Sequence, residues 1–211
     1  YKIVGMDASG LEARMLAHYM DDKEYTNEIL HGDIHSTNQL ATGVKTRDQA
    51  KTFYYAFLYG AGDAKIGSII GGTARDGKEL KEKFLRNTPA LARLRERVSM
   101  ASGRGYVLGL DRRRVLIRSE HAALNTLLQS AGAIVMKKAL ALLDEYATKW
   151  KLNYHFVGNI HDEIQTEVEQ EKTEVFGRLA CSCIEAAGLH FNLNCPLEGE
   201  YKVGDSWAET H

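Results

Sequence analysis

The sequence predicts an α+β fold built on an antiparallel sheet, and two observations support this prediction. Apolar, strand-like runs stand near both ends of the chain, at 1–7 and 197–203, and the segment around 154–169 alternates apolar and polar residues as a hairpin does. The helical patterns between them do not alternate regularly with strands. Mixed, non-alternating elements favour an antiparallel sheet over a parallel one.

The remaining elements follow without a repeat, a low-complexity tract or a linker rich in Pro and Gly. Periodicity predicts helices at about 9–20, 33–42, 46–59, 77–100, 121–150 and 171–187. Ser9 stands where the N-cap of the first helix is expected. A Gly-rich segment at 101–117 predicts a hairpin with its turn at Leu110–Arg112. One compact unit with an inserted helical region is the simplest organisation.

Composition predicts a soluble globular protein. The chain has 211 residues, enough for one sizeable core, and no apolar run approaches the roughly 20 residues of a membrane span. It shows no secretory leader. Three cysteines without CxxC spacing predict neither a zinc site nor a disulfide framework and favour a reducing, intracellular setting. The chain begins inside a strand-like run without an initiator Met, so we expect a piece of a longer protein.

Charge is unevenly distributed along the chain. The net charge is -1, yet residues 75–118 hold thirteen Lys and Arg against five acidic residues, a local net charge of +8. Such a block predicts a surface for a polyanion. A solvated helix face is the alternative, and charge alone does not separate the two interpretations.

The helix predicted at 46–59 carries a stripe that points to a nucleotide. Thr46 and Gln49 have capping-box spacing, and Gly60 marks the end. Residues four apart then place two cations and two aromatic rings on one face: Arg47, Lys51, Tyr55 and Tyr59. Neighbouring cations repel, but a bound polyphosphate at the helix N-terminus would reverse that penalty. A solvated basic turn followed by core tyrosines is the alternative.

Two acids at strand ends point to a metal. Asp7 ends the first strand, and the adjacent Asp162 and Glu163 lie in the predicted hairpin. If the strands are neighbours, Asp7 and Asp162 can share divalent ions about 3.5–4 Å apart, as in phosphoryl transfer. Oxygen-only ligands favour Mg²⁺, with Mn²⁺ as a substitute. A helix cap is the alternative role of Asp7.

Three segments together resemble a known family. The segments "DASGLEAR" (7–14), "RDQAKTFYYAFLYGAG" (47–62) and "HDE" (161–163) resemble motifs A, B and C of the family A DNA polymerases, in that order. The segments "GDIHSTNQLA", "NTPALARLRE" and "HAALNTLLQSAGA" are most similar to the T-seven-like phage replicative polymerases. The resemblance covers nearly the whole chain.

The resemblance implies a role for each matching residue. Two metal ions would be held by Asp7, Asp162 and the backbone carbonyl of Ala8, with Glu163 as an accessory acid. The nucleotide would be bound by His35, Arg47, Lys51, Tyr55 and Glu12, where Glu12 would exclude a ribose 2′-hydroxyl and Lys51 would also act as general acid for pyrophosphate. Tyr55 also implies weak discrimination against dideoxynucleotides. Primer-template DNA would be contacted by Tyr59, Asn125, Gln129 and His161.

The resemblance also implies a right-hand polymerase layout. The palm sheet would comprise residues 1–24 and 119–211, and helical fingers would be inserted at 25–118. The thumb and the exonuclease domain that precede motif A in the family are absent from this sequence. Expected partners are primer-template DNA and dNTPs, without a membrane, and a processivity factor and a helicase or primase through the missing regions. The expected location is the cytoplasm of a bacterial host.

Two other functions stay open at this point. A noncatalytic remnant would bind nucleic acid without extending a primer. Another two-metal phosphoryl-transfer enzyme, such as a nuclease, would cleave without a triphosphate, and it would leave the stripe of Arg47, Lys51 and Tyr55 without a role.

Overall fold

The main sheet has four antiparallel strands, as the sequence predicts. The computed structural model describes residues 1–211. The strands are β1 (Lys2–Ala8), β2 (Tyr106–Leu108), β3 (Arg114–Leu116), β4 (Tyr154–Ile160), β5 (Glu163–Val168) and β6 (Gly199–Gly204). The sheet order is β4-β5-β1-β6, and every neighbouring pair is antiparallel. The strands β2 and β3 form a separate hairpin whose turn contains Arg112 at φ +64°, also as predicted.

The strand β1 is interior to the sheet and buries Val4 and Met6. A Cβ on Gly5 would lie 2.5 Å from Nε2 of Gln165 and 2.9 Å from the backbone oxygen of Thr210, so glycine leaves the room that these neighbours need. Because both edges of β1 are paired, the strand is a rigid support for Asp7 near its end.

Ten helices account for most of the remaining chain. They are α1 (Leu11–Met20), α2 (Lys23–His31), α3 (Ile34–Thr42), α4 (Arg47–Leu58), α5 (Asp63–Ile69), α6 (Ala74–Asn87), α7 (Pro89–Ser102), α8 (Ala123–Lys149), α9 (Thr173–His190) and α10 (Trp207–Thr210). Five predicted helical segments agree in position with α1, α3, α4, α8 and α9, and the sixth, at 77–100, falls on α6 and α7. The short helices α2, α5 and α10 were not predicted.

Two local predictions were wrong. The segment predicted as one helix at 77–100 is two helices, because Pro89 disfavours helical backbone at Thr88, which has φ -132° and ψ 70°. Ser9 is not the residue that precedes α1, because Gly10 stands between it and Leu11. Its hydroxyl donates to Oε1 of Glu200 at 2.8 Å, and the amide of Arg14 donates instead to the carbonyl of Gly10 at 3.1 Å.

The helical stretch Glu120–Lys149 meets the length and composition of a membrane-crossing helix, a criterion that core helices of soluble proteins also meet. One face of α8 is fully buried at four-residue intervals, at Ala131, Val135, Ala139, Leu143 and Ala147. A continuous buried stripe of this kind is typical of a core helix.

The chain divides into two compact units. The sheet unit comprises Tyr1–Met15 and Ser130–His211, and the helical unit comprises Leu16–Gln129. In the sheet unit α9 packs on β1 and β6, and in the helical unit the rings of Phe53 and Phe57 pack edge-on against Phe84. The helical unit starts earlier and ends later than the fingers predicted at 25–118, and the division into palm and fingers at those bounds stays a prediction.

Candidate active site

The end of β1 and the turn between β4 and β5 bring two acids to the same end of the sheet. Asp7 lies opposite Glu163 of β5 in the β1–β5 register, and its Oδ1 accepts a hydrogen bond from the amide of Ala8 at 2.8 Å. Asp162 immediately precedes Glu163. The pairing of β1 with β5 therefore places the two predicted metal ligands near each other, although they are far apart in the sequence.

The turn between β4 and β5 consists of His161 and Asp162, since Ile160 pairs with Glu163. His161 has φ +59°, a left-handed conformation that is uncommon outside glycine. Strand alternation, which would place His161 and Glu163 opposite Asp162, does not apply because neither turn residue belongs to a strand. The direction of the Asp162 carboxylate is set by this turn.

Burial and mutual repulsion characterise the acid pair. Burial, followed by the negative charge of Asp162, raises the pKa of Asp7 from 3.8 to about 6. Burial also raises the pKa of Asp162, with contributions from the charges of Glu12 and Glu163. The predicted residues Asp7, Glu12 and Asp162 therefore lie in one electrostatic neighbourhood of the sheet unit. A cation would relieve the repulsion among them.

The donor chemistry fits a divalent metal that prefers oxygen. No three His, Cys, Asp or Glu side chains converge as a set that could hold a metal ion. Mg²⁺ does not require such a set, because it is commonly held by one or two carboxylates and keeps water and phosphate oxygens as its other ligands. The carboxylates of Asp7 and Asp162 and the carbonyl of Ala8 are donors of this kind.

Glu163 is engaged away from this pair. Its Oε1 accepts from Nε1 of Trp207 at 2.7 Å and from Nε2 of Gln165, and its Oε2 lies 2.6 Å from Nδ1 of His211. Burial alone would raise the pKa of Glu163, but these hydrogen bonds hold it below its usual value. Sequence reasoning missed Trp207 and His211, and the role of Glu163 as an accessory acid stays a prediction.

In the helical unit, the N-terminus of α4 has half of the predicted capping box. The hydroxyl of Thr46 accepts from the amide of Gln49 at 3.1 Å, but Oε1 of Gln49 accepts from the amide of Lys45 rather than that of Thr46. The cap starts α4 at Arg47, which places the first cation of the stripe in the first turn.

Arg47 is held by an acid that sequence reasoning missed. Its Nε and Nη2 donate to the two carboxylate oxygens of Asp33 at 2.6 and 3.0 Å, a bidentate pair. The same Asp33 caps α3 by accepting from the amide of His35 at 3.1 Å. The sequence "GDIH" contains the N-cap signal, but the pairing with α4 depends on tertiary structure.

His35 lies against the aromatic part of the stripe. Its ring centroid is 5.9 Å from those of both Tyr54 and Tyr55. Burial, followed by the charge of Arg47, lowers the pKa of His35, and Lys51 acts in the same direction. Nδ1 of His35 is buried without a hydrogen-bond partner. The structure therefore gathers His35, Arg47, Lys51 and Tyr55 into one cluster with an unsatisfied ring nitrogen.

The other end of α4 meets the start of the long helix. Tyr59 is 51% exposed at the C-terminus of α4. Gly60 follows at φ +77°, and a Cβ there would lie 2.3 Å from the carbonyl oxygen of His121. Asn125 and Gln129 lie on the first turns of α8, where Gln129 is exposed and Asn125 half-buried. The C-terminal end of α4, next to Tyr59, therefore lies against the segment that leads into α8.

The basic block at 75–118 is partly occupied by internal contacts. Lys81 pairs with Asp63 at 2.9 Å, Arg113 pairs with Asp111 at 2.5 Å, and Arg104 and Arg114 lie over the ring of Tyr106 at 5.7 and 5.0 Å. Some cations of the block thus have contacts within the protein. A polyanion surface on this block stays a prediction.

Comparison with known proteins decides the family. The family model described as DNA polymerase family A matches residues 1–209. The chain belongs to this family. As a member of family A, it is 47% identical over 98% of its length to the DNA-directed DNA polymerases of Enterobacteria phage T3 and Escherichia phage T7. It is 28% identical, again over 98% of its length, to DNA polymerase I of Geobacillus stearothermophilus.

The family A chain spans a third of the length of the two phage relatives, 33% in each case, and 26% of the Geobacillus relative. The POL domain of Pol1 from M. smegmatis, solved in complex with DNA primer-template and dNTP, matches 100% of the chain with a TM-score of 0.87 at 22% identity. The match covers 40% of that solved chain. The predicted α+β polymerase fold, an antiparallel palm sheet with inserted helical fingers, is thereby confirmed.

Proposed function

We propose that this chain carries the nucleotidyl-transfer centre of a template-directed DNA polymerase. The observation that supports the proposal most directly is the acid pair: Asp7 lies in β1, Asp162 lies in the turn that leads into the neighbouring strand β5, and the charge of Asp162 contributes to the raised pKa of Asp7. The substrates are dNTPs and primer-template DNA, and the metal is Mg²⁺, for which Mn²⁺ can substitute. Asp7, Asp162 and the carbonyl of Ala8 would hold it.

In the proposed reaction the primer 3′-oxygen bonds to the α-phosphorus, the bond from that phosphorus to the β-phosphate oxygen breaks, and the hydroxyl proton passes to water. Bound Mg²⁺ would supply charge neutralisation for the attacking and leaving oxygens. Arg47, Lys51 and His35 bind the triphosphate, and Lys51 can give a proton to pyrophosphate. Tyr55 flanks the sugar and base, and Glu12 excludes the ribose 2′-hydroxyl. Catalysis consists of positioning and electrostatic stabilisation.

The DNA is contacted by Tyr59, Asn125, Gln129 and His161 in this proposal, and the side-chain amides suit minor-groove acceptors that all base pairs share. The longer protein would recruit a processivity factor and a helicase or primase through regions outside this chain. Its proposed location is the cytoplasm of a bacterial host.

Primer extension with Mg²⁺ on a primed template tests the proposal. We expect extension by the wild type, none by Asp7→Ala or Asp162→Ala, and a reduced rate for Glu163→Ala. Glu171→Ala, an exposed acid in the turn before α9, is the matched control and extends like the wild type. DNA binding without extension by the wild type would support a noncatalytic remnant, cleavage without triphosphate would support a nuclease, and normal extension by either Asp variant would remove the assigned centre.

A further inference from the structure

Arg14 is a buried arginine with three polar partners. It lies on α1 and is only 6% exposed. Its Nε donates to the carbonyl of Ser9 at 2.7 Å, its Nη1 to the carbonyl of Pro196 at 2.5 Å, and its Nη2 to Oε2 of Glu198 at 2.9 Å. A guanidinium is always charged, and its planar fork matches such an arrangement better than an ammonium does. Arg14 therefore ties the exit of β1 to the segment 196–198.

This tie adjoins the peptide bond of a predicted metal ligand. The amide of Ser9 donates to the carbonyl of Glu198 at 2.9 Å. That amide and the carbonyl of Ala8 belong to one peptide unit, and in a planar trans peptide they point in opposite directions. The carbonyl of Ala8 is consequently directed away from Glu198. Arg14 therefore contacts both residues of the hydrogen bond between Ser9 and Glu198, through the carbonyl of Ser9 and the side chain of Glu198.

We propose that Arg14 is a positioning residue for the divalent cation, because it fixes the Ala8–Ser9 peptide so that the carbonyl of Ala8 and the carboxylate of Asp7 serve together as oxygen donors. The inference rests on the proposed function for the identity of those donors. A purely structural Arg14 would contribute to folding stability and leave cation affinity unchanged. The two roles are therefore separable by measurement.

The experiment measures Mn²⁺ binding to the 211-residue chain, without DNA or nucleotide, from the electron paramagnetic resonance signal of free Mn²⁺. Asp7→Asn identifies the site through lost binding. Arg14→Lys keeps the charge, Arg14→Met keeps the length, and Arg178→Lys is the control, since Arg178 is 80% exposed with one ion pair at 3.8 Å. We expect both Arg14 variants to weaken Mn²⁺ binding about tenfold or more, the usual effect of losing a group that orients a metal ligand.

Circular dichroism establishes that each variant is folded. If folded Arg14→Lys and Arg14→Met bind Mn²⁺ as tightly as the wild type, the proposal is overturned. If neither folds, Glu198→Gln decides, because this side chain is 65% exposed and provides one of the three contacts. It should weaken Mn²⁺ binding in the same direction, and unchanged affinity overturns the proposal.

The outcome is distinguishable from failure of the proposed function. A wild type that binds Mn²⁺ in an Asp7-dependent way but does not extend a primer contradicts polymerase activity, and the Arg14 comparison still supports or overturns the positioning role. A wild type without Asp7-dependent Mn²⁺ binding overturns the positioning role directly.

Discussion

Asp7 and Glu163 are directly opposite each other in the β1–β5 pair, yet their surroundings act on them in opposite directions. Burial and a neighbouring acid raise the pKa of Asp7, whereas hydrogen bonds lower that of Glu163. The sequence indicated both residues as acids at strand ends. It did not indicate the difference, because Trp207 and His211, which hold Glu163, lie 44 and 48 residues away.

The raised pKa of Asp7 predicts a pH-dependent stability. The pKa of Asp7 is about 6 in the folded protein, against an ordinary value of 3.8. In the metal-free protein the contribution of Asp7 to stability is therefore most favourable below pH 4, and it is lost as the pH rises towards 6. Asp7→Asn keeps the acceptor for the amide of Ala8 and removes the charge. After discounting for partial exposure, we expect it to stabilise the EDTA-treated protein by about 1 kcal/mol at pH 7.

Urea unfolding of the wild type and of Asp7→Asn in EDTA, at pH 4 and pH 7, measures this difference. The stabilisation by Asp7→Asn should be confined to pH 7. Mg²⁺ should stabilise the wild type more than it stabilises the variant. An equal difference between the two proteins at both pH values would contradict the electrostatic explanation.

At the scale of elements, α4 shows what local signals determine. Its capped start, its stripe and its glycine end were predicted from the sequence, because caps and periodicity are local properties. The bidentate pair of Arg47 and Asp33 was not, since it joins α4 to the N-terminus of α3. Pro89 is a recognisable helix breaker in the sequence. The prediction of a single helix at 77–100 gave too much weight to the periodicity on either side of this proline.

Asp33 serves α3 and α4 in two separable ways. Asn caps helices about as well as Asp, so Asp33→Asn should retain the cap of α3 and lose the charged pair with Arg47. Asp33→Ala loses both the cap and the pair, so its free energy of unfolding should be lower than that of Asp33→Asn. Chemical denaturation of both variants measures this difference. If the proposed function holds, both variants should raise the KM for dNTP, because Arg47 is no longer oriented.

Equal stability of the two Asp33 variants would mean that the cap contributes nothing. An unchanged KM in both, with primer extension intact, would mean that Arg47 needs no support from Asp33.

Glycine is required at position 60 by the backbone conformation there and by the closeness of His121. Gly60→Ala adds a strained φ of +77° to a contact with the carbonyl of His121, so we expect a loss of at least about 2 kcal/mol in the free energy of unfolding. Gly71→Ala is the matched control, because Gly71 has φ +69° with nothing within 4 Å of its added Cβ. Equal losses in the two variants, measured by thermal unfolding, would show that the contact at His121 is unimportant.

At the scale of the whole molecule, the net charge of -1 conceals a strongly basic segment. The order of strands and helices was predictable from periodicity, and the family from three motifs. The two compact units were not predictable at their observed bounds, because the boundaries fall inside the continuous helices α1 and α8. No break in the sequence marks either boundary.

The uneven charge predicts salt-sensitive DNA binding, if the proposed function is correct. Affinity for a labelled primer-template, measured by fluorescence anisotropy, should fall about tenfold or more between roughly 50 and 200 mM salt, because contacts with phosphates release counterions. Charge reversal at the exposed Arg112 should reduce this dependence, whereas reversal at the exposed Lys149, outside the basic block, should not. A salt dependence identical in all three proteins would exclude the hairpin from the DNA surface.

The sheet unit is discontinuous along the chain, and this has a consequence for synthesis on the ribosome. The strand β1 is made before its partners β5 and β6, which begin only at Glu163 and Gly199. Translation at about 5–20 residues per second delays their arrival by on the order of ten seconds. The helical unit is complete before the sheet can close. Until then the apolar segment of β1 lacks its partners, and a nascent-chain chaperone would have its longest opportunity to act there.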